Sequence, residues 1–173
     1  MNLISKIRNV QDFPKPGIGF KDITTLLGDG EAFRQSVQQM LQLYKDEPLD
    51  KIIGIESRGF IFAAVLAYER GIGMVPVRKP GKLPYKTISA TYELEYGTDT
   101  LEIHVDAIKK NDRVLIVDDL LATGGTIEAT TNLVERLGGE VVACCFLIEL
   151  DFLHARERLQ SHRIDSLVHF DVE

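Results

Sequence analysis

The residues of this chain best suited to chemistry lie in VLIVDDLLATGGT, Val114 to Thr126. Four apolar residues run into an adjacent acid pair, Asp118 and Asp119, and a Thr-Gly-Gly-Thr loop follows. Ionised carboxylates accept hydrogen bonds and donate none, so a neighbouring pair suits a ligand with vicinal hydroxyls, such as a ribose. The same oxygens suit Mg²⁺, which prefers hard oxygen ligands. Beyond them, Gly124 and Gly125 can take positive φ and bring the backbone close to a ligand, and Thr123 and Thr126 add hydroxyls. At the start of a helix such amides form an anion-binding nest. Strand, acid pair and nest in that order describe a socket for a ribose 5-phosphate. The stretch is not a Walker loop, because no lysine follows the second glycine, nor is it the GxGxxG dinucleotide fingerprint. Taken singly, the Thr-Gly-Gly-Thr loop is equally an ordinary strand-to-helix turn, and the acid pair also fits a solvated acidic loop.

Other charged groups extend the pattern. Arg58 follows Ser57 in ESRG, and Arg78, Lys79 and Lys82 crowd RKPGKLPYK, with Lys86 close by. At the carboxyl edge of a sheet these cations would hold a second, more highly charged group; on its own the cluster reads as a solvated basic loop. Glu95 stands in LEYG beside Tyr96 and a turn glycine. A closing flap would carry Glu95 to a ligand and exclude water, although by itself it reads as a surface residue.

The framework that must position these groups is ordinary in composition. The 173 residues suffice for one domain. With 45% hydrophobic and 27% charged residues the chain has the make-up of a soluble globular protein. A net charge of -6 argues against nucleic acid or an anionic membrane as partner, so any anion must be caught by a local site. The start, MNLISKIRNV, lacks a signal-peptide core, and the longest apolar stretch is interrupted by Glu56 and Arg58; a cytoplasmic location is expected. Cys144 and Cys145 sit in an apolar run and read as buried reduced thiols, not as a disulfide or zinc framework.

Along the chain, the Pro- and Gly-rich stretch from Val10 to Gly30 reads as an irregular arm. Helical spacing follows over 31–45, with Asp29 as its cap, and over 60–70, stopped by Gly71. Short strands are expected at KIIGI, MVPVR and RVLIV, with the acid pair just past the last. Alternation from Thr87 to Tyr96 and again from Leu101 to Val105 describes an antiparallel ribbon with one apolar face. A helix over 126–139 turns Ile127, Thr130, Val134 and Leu137 inward; a long strand EVVACCFLIEL, a helix DFLHARERL and a last strand IDSLVHF complete the chain. Strands alternating with helices predict an α/β fold with a mostly parallel sheet flanked by helices. Ligands of such sheets bind outside the carboxyl ends of the strands, where ESRG, RKPGK and DDLLATGGT all fall.

On these residues the chain resembles the type I phosphoribosyltransferases, whose signature for phosphoribosyl diphosphate (PRPP) matches VLIVDDLLATGGT. FPKPGIGFKDITTLL, ESRGFIF, RKPGKLPYKT, YELEYG and IELDFLHARERL, in that order, resemble the adenine phosphoribosyltransferase family over nearly the whole chain. The resemblance implies that fold in a single domain, 1–173, with an N-terminal hood over 1–30 and a flexible flap over 82–106. It implies adenine and PRPP as substrates, AMP and diphosphate as products, Mg²⁺ as cofactor and a homodimer. Asp118 and Asp119 would hold the ribose, and Ala122, Thr123, Gly124, Gly125 and Thr126 the 5′-phosphate. Ser57, Arg58, Arg78, Lys79 and Lys82 would bind the diphosphate, with Arg58 and Glu95 as the catalytic pair and Tyr96 closing over the site. Adenine would stack on Phe20, meet the backbones of Gly19 and Lys21 and pack on Leu150. Many relatives carry a bulkier aliphatic residue in place of Gly19 and an arginine in place of Lys21, which main-chain recognition would tolerate. The family also often has a cis peptide where Glu56 meets Ser57. Rival readings are a transferase for guanine or xanthine, or a regulatory PRPP-binding protein.

If Glu95 serves a purine proton, Glu95→Gln is expected to keep PRPP binding and slow turnover by roughly 10²–10⁴. Single-turnover kinetics beside a PRPP binding titration check both halves.

Overall fold

Apolar residues stand back to back in the strands, which suits a parallel sheet covered on both faces. A computed structural model, describing residues 2–93 and 97–172, has that sheet. From the N-terminus, β1 (Arg8–Val10) and β2 (Phe20–Asp22) pair antiparallel, then come α1 (Thr24–Gly28) and α2 (Gly30–Leu43). Next are β3 (Lys51–Ile55), α3 (Gly59–Arg70) and β4 (Gly73–Val77). The ribbon of β5 (Thr87–Glu93) and β6 (Thr98–His104) leads to β7 (Arg113–Leu121), α4 (Gly125–Arg136), β8 (Glu140–Leu150), α5 (Ala155–Arg158) and β9 (Ile164–Phe170).

The sheet runs β4-β3-β7-β8-β9, all parallel. After β3 the chain steps outward to β4 and then returns to the other side of β3 as β7. The carboxyl ends of β3 and β7 are therefore the topological switch point, where open α/β sheets bind ligands. Side chains of each strand alternate between two cores. Ile52, Leu115, Cys145 and Leu147 pack with Met40 of α2 and with Phe62 and Leu66 of α3. Ile53, Ile116, Cys144 and Phe146 pack with Ile127, Leu133 and Val134 of α4 and with Leu101 and Ile103 of the ribbon. The neighbouring cysteines thus face opposite layers, both free and buried, and burial pushes each thiol up to about 12.

Several expectations need correction. The arm is not irregular throughout. Arg8 reaches Asp22 at 2.5 Å, Asp22 accepts the Thr24 amide at 2.9 Å, and the fully buried Ile23 and Leu26 fix the segment to the core. Asp29 does cap α2, accepting from the amides of Glu31 and Ala32, and Lys6 ties the arm to it at 2.6 Å. DFLHARERL is no single helix, because His154 at φ +52° divides a 3₁₀ turn, Asp151–Leu153, from α5. That break lets Ala155 and Leu159 enter the core while Arg156 turns back to Glu149 at 2.7 Å. The strand expected at RVLIV runs on through the acid pair to Leu121, because β8 supplies partners as far as Glu149. In the ribbon, β6 begins at Thr98, three residues before the expected start, because Thr98 and Asp99 pair with Glu93 and Tyr92.

Gly54 marks the closest approach of helix to sheet. A Cβ there would lie 2.7 Å from the Ala63 Cβ and 3.2 Å from the Phe60 Cα, both fixed parts of α3. Gly54→Ala is expected to destabilise the fold by about 1–3 kcal/mol, read as a lowered midpoint in thermal or denaturant unfolding.

Candidate active site

At the switch point lies a cavity of about 540 Å³, within the range of small-molecule sites. The turn after β3 contributes Glu56, Ser57 and Arg58, and the Glu56–Ser57 peptide is cis. The end of β7 and the loop beyond contribute Asp118, Asp119, Ala122, Thr123, Gly124 and Thr126. Phe20 reaches in from β2, Lys79 from the loop after β4, and Tyr92 and Leu101 from the ribbon. β3 last pairs with β7 at Gly54↔Val117, so Asp118 to Leu121 project past their neighbour and form the wall of the cavity.

Asp119 is 4% exposed and Asp118 is half-buried. Burial raises Asp118 well above the usual carboxylate range, and the Asp119 charge beside it adds to the effect. Asp119 is also raised by burial, against the pull of the Arg58 guanidinium. Arg58 Nε stands 2.8 Å from Asp119 Oδ2, yet no N–H points along that line; the oxygen has a charged neighbour and no hydrogen-bond donor. A buried acceptor without a donor is costly, and Asp119 lines the cavity through which a ligand hydroxyl or a hard cation could approach its carboxylate.

The two loop glycines have different tasks. Gly124, at φ +86°, takes the left-handed conformation and leads into α4. Gly125 does not have positive φ; it is the first residue of α4, and a Cβ there would press on Tyr92 at 3.0 Å and on the Glu93 carbonyl at 3.2 Å. The α4 N-terminus has no side-chain cap, and Gly124, Thr126 and Ile127 line the cavity beside it, as an anion nest requires.

The cations divide. Arg58 and Lys79 line the cavity. Arg78 is turned to Glu56 at 3.2 Å and to the Lys82 carbonyl at 3.3 Å, while Lys82 itself is exposed outside the lining. On the arm, Phe20 lies under the Arg58 guanidinium, 5.1 Å from ring centre to Cζ, with Gly19 half-buried beside it. Lys21 sends its side chain elsewhere, over the Phe170 ring at 4.6 Å and to Asn9 at 3.2 Å. Leu150 packs against the α2–α3 core and is not part of the cavity lining. Glu95 and Tyr96 lie outside the described residues.

Three participants escaped sequence reading. Glu56 organises the basic loop, holding Arg78 and accepting the Lys79 amide at 3.0 Å. Phe13 meets Phe20 edge to face at 5.1 Å while 51% exposed, so an aromatic in a Pro-rich arm was the available signal. Asp99 pairs with Lys79 and accepts from the Tyr92 hydroxyl at 3.3 Å; only the ribbon register places it there. Among the described residues no helix is long and apolar enough to cross a membrane.

Residues 27–169 match the model of the phosphoribosyl transferase domain. The adenine phosphoribosyltransferase of Clostridium perfringens is 57% identical over 172 residues, 99% of this chain and 100% of that one. The crystal structure of adenine phosphoribosyltransferase from Thermoanaerobacter pseudethanolicus superposes with a TM-score of 0.95 at 54% identity, covering 97% of this chain and 98% of that one. The Saccharomyces cerevisiae adenine phosphoribosyltransferase, crystallised with an imino-altritol bisphosphate and adenine, gives 0.88 at 38% identity, covering 94% of each chain.

The electrostatics of the acid pair make a stability prediction. A carboxyl raised by folding stabilises the native state below its unfolded value, near 4, and that contribution is lost as pH rises through the raised folded value. Asp118→Asn keeps an acceptor for the Asp119 amide and puts an amide donor beside the Asp119 carboxylate. It is expected to raise the melting temperature at neutral pH by about 2–6 °C, the gain shrinking as pH falls toward 4. Thermal unfolding of both proteins across that pH range checks it.

Proposed function

The chain belongs to the phosphoribosyltransferase family, in its adenine phosphoribosyltransferase branch, and from that premise we propose how its residues divide the work. The reaction is that of purine salvage: adenine and PRPP give AMP and diphosphate. The observation that carries the assignment of roles is the acid pair at the switch point, with the anion nest immediately beyond it. Asp118 and Asp119 accept from the ribose hydroxyls, and the 5′-phosphate lies on the amides and hydroxyls of Ala122 to Thr126. Ser57, Arg58 and Lys79 face the diphosphate, with Arg78 and Lys82 as further cations on the same loop. Adenine stacks on Phe20, with the main chain of Gly19 and Lys21 at its edge, while Leu150, packed on the α2–α3 core, supports the site from behind.

The bond from C1′ to diphosphate breaks with oxocarbenium character, so neutralising the departing charge dominates the barrier. Arg58 and Lys79 do this from the protein side. Adenine N9 attacks the opposite face of C1′, and Glu95 handles a purine proton while Tyr96 closes the flap. Excluding water there protects the activated sugar from hydrolysis.

Mg²⁺ fits the donor set, since Asp118 and Asp119 offer hard oxygens and Asp119 Oδ2 has no hydrogen-bond donor. When bound with the diphosphate, the ion supplies further neutralisation of the leaving group. The working unit is a homodimer in the cytoplasm, with no role for nucleic acid.

The test is diphosphate release from PRPP and Mg²⁺ with adenine, guanine and xanthine supplied in turn. Release with adenine far above the other two is expected. Preference for another base would overturn the specificity, and PRPP binding without release would make the chain a regulatory PRPP-binding protein.

A further inference from the structure

Lys79 is held in two different ways. Its backbone amide donates to Glu56 Oε2 at 3.0 Å, which pins the main chain of the loop after β4. Its side chain lines the cavity, yet its ammonium pairs with Asp99 on β6. Asp99 is built for that contact. It stands opposite Tyr92 in the ribbon register, accepts the Tyr92 hydroxyl at 3.3 Å and takes the Thr100 amide at 2.8 Å. The carboxylate is thus fixed by the ribbon, the Lys79 main chain is fixed by Glu56, and the mobile part between them is the four-carbon stem of Lys79. The pair is partly open to solvent, with side-chain exposures of 42% for Lys79 and 26% for Asp99.

We propose that Asp99 competes with the diphosphate of PRPP for the Lys79 ammonium and so sets the affinity of the site for PRPP. The inference rests on Lys79 being a diphosphate ligand. A lysine ammonium carries three donors on a flexible stem and can exchange one anion for another without moving the backbone. Asp99 keeps the charge of Lys79 neutralised at the cavity wall until a more highly charged anion takes it. The transfer also removes one tie between the ribbon and the loop after β4, so occupancy of the diphosphate position is felt at the turn end of the ribbon, where Asp99 pairs with Tyr92. Asp99 is a positioning residue here, acting through Lys79.

The experiment is a double-mutant cycle with Asp99→Asn and Lys79→Gln, read by the PRPP KM, the diphosphate inhibition constant and kcat. The asparagine side chain retains an acceptor for the Thr100 amide, removes the charge, and puts an amide donor in place of the oxygen that Lys79 and the Tyr92 hydroxyl meet. Asp99→Asn is expected to lower the PRPP KM and the diphosphate inhibition constant together by about two- to fivefold, the range of a partly exposed ion pair. The effect should disappear in the Lys79→Gln background. An unchanged or raised KM in Asp99→Asn, or the same gain with and without Lys79, overturns the competition. If Lys79→Gln alone leaves PRPP and diphosphate affinity untouched, the assignment of Lys79 to the diphosphate is what fails.

Discussion

Placing two adjacent carboxylates at the buried end of a central strand is the constraint on which the site depends. Asp118 and Asp119 repel each other and have been taken largely out of water, so their ionised forms are disfavoured in the absence of a ligand. The surroundings moderate this without removing it. Arg58 stands beside Asp119, the Asp119 amide donates to Asp118, and Gly59 clears the space that a Cβ would otherwise fill at 2.8 Å from Asp118 Oδ1. An unmet acceptor remains at Asp119 Oδ2. Stability is set aside at this point in a form that hydroxyl donors or a hard cation would restore, a pattern common to preorganised sites.

The parallel sheet makes such a placement possible. Two cores, one under α2 and α3 and the other under α4 and the ribbon, grip the central strands from both sides. Gly54 lets α3 sit close on β3, and Gly125 lets the ribbon sit close on α4. Charged groups can then be strained at the strand ends while the rest of the chain stays closely packed.

The fold was legible because its signals are local and periodic. Apolar runs in KIIGI, VLIV and VVACCFLI announce strands buried on both faces, and Asp29 announces the start of α2. The acid pair and nest were legible because their chemistry lies within one short stretch of chain. What stayed hidden depends on pairings distant in sequence. Nothing near RVLIV indicates that β8 extends the strand through the aspartates, and nothing near RKPGK indicates that Arg78 belongs to Glu56, 22 residues earlier. A basic cluster in sequence is a pool of cations; the fold turns Arg78 to the Glu56 carboxylate and leaves Lys79 lining the cavity. The break at His154, across which Arg156 turns back to Glu149, likewise has no signature in the run DFLHARERL.

The unequal lengths of two neighbouring strands act as a ruler. β7 outruns its pairing with β3 by the four residues from Asp118 to Leu121. At roughly 3.3 Å per residue this overhang spans about 13 Å. It sets the separation between the turn carrying Arg58, where β3 stops, and the nest at the head of α4, where β7 gives way to a helix. A sugar with phosphoryl groups at both ends of a furanose ring, the substrate proposed above, would span such an interval, with its hydroxyls along the acid pair. The spacing is held by backbone ladders and not by side-chain rotamers, so substitution can change the grip at either end while leaving the scale intact. Only inserting or deleting a residue in the overhang would recalibrate it.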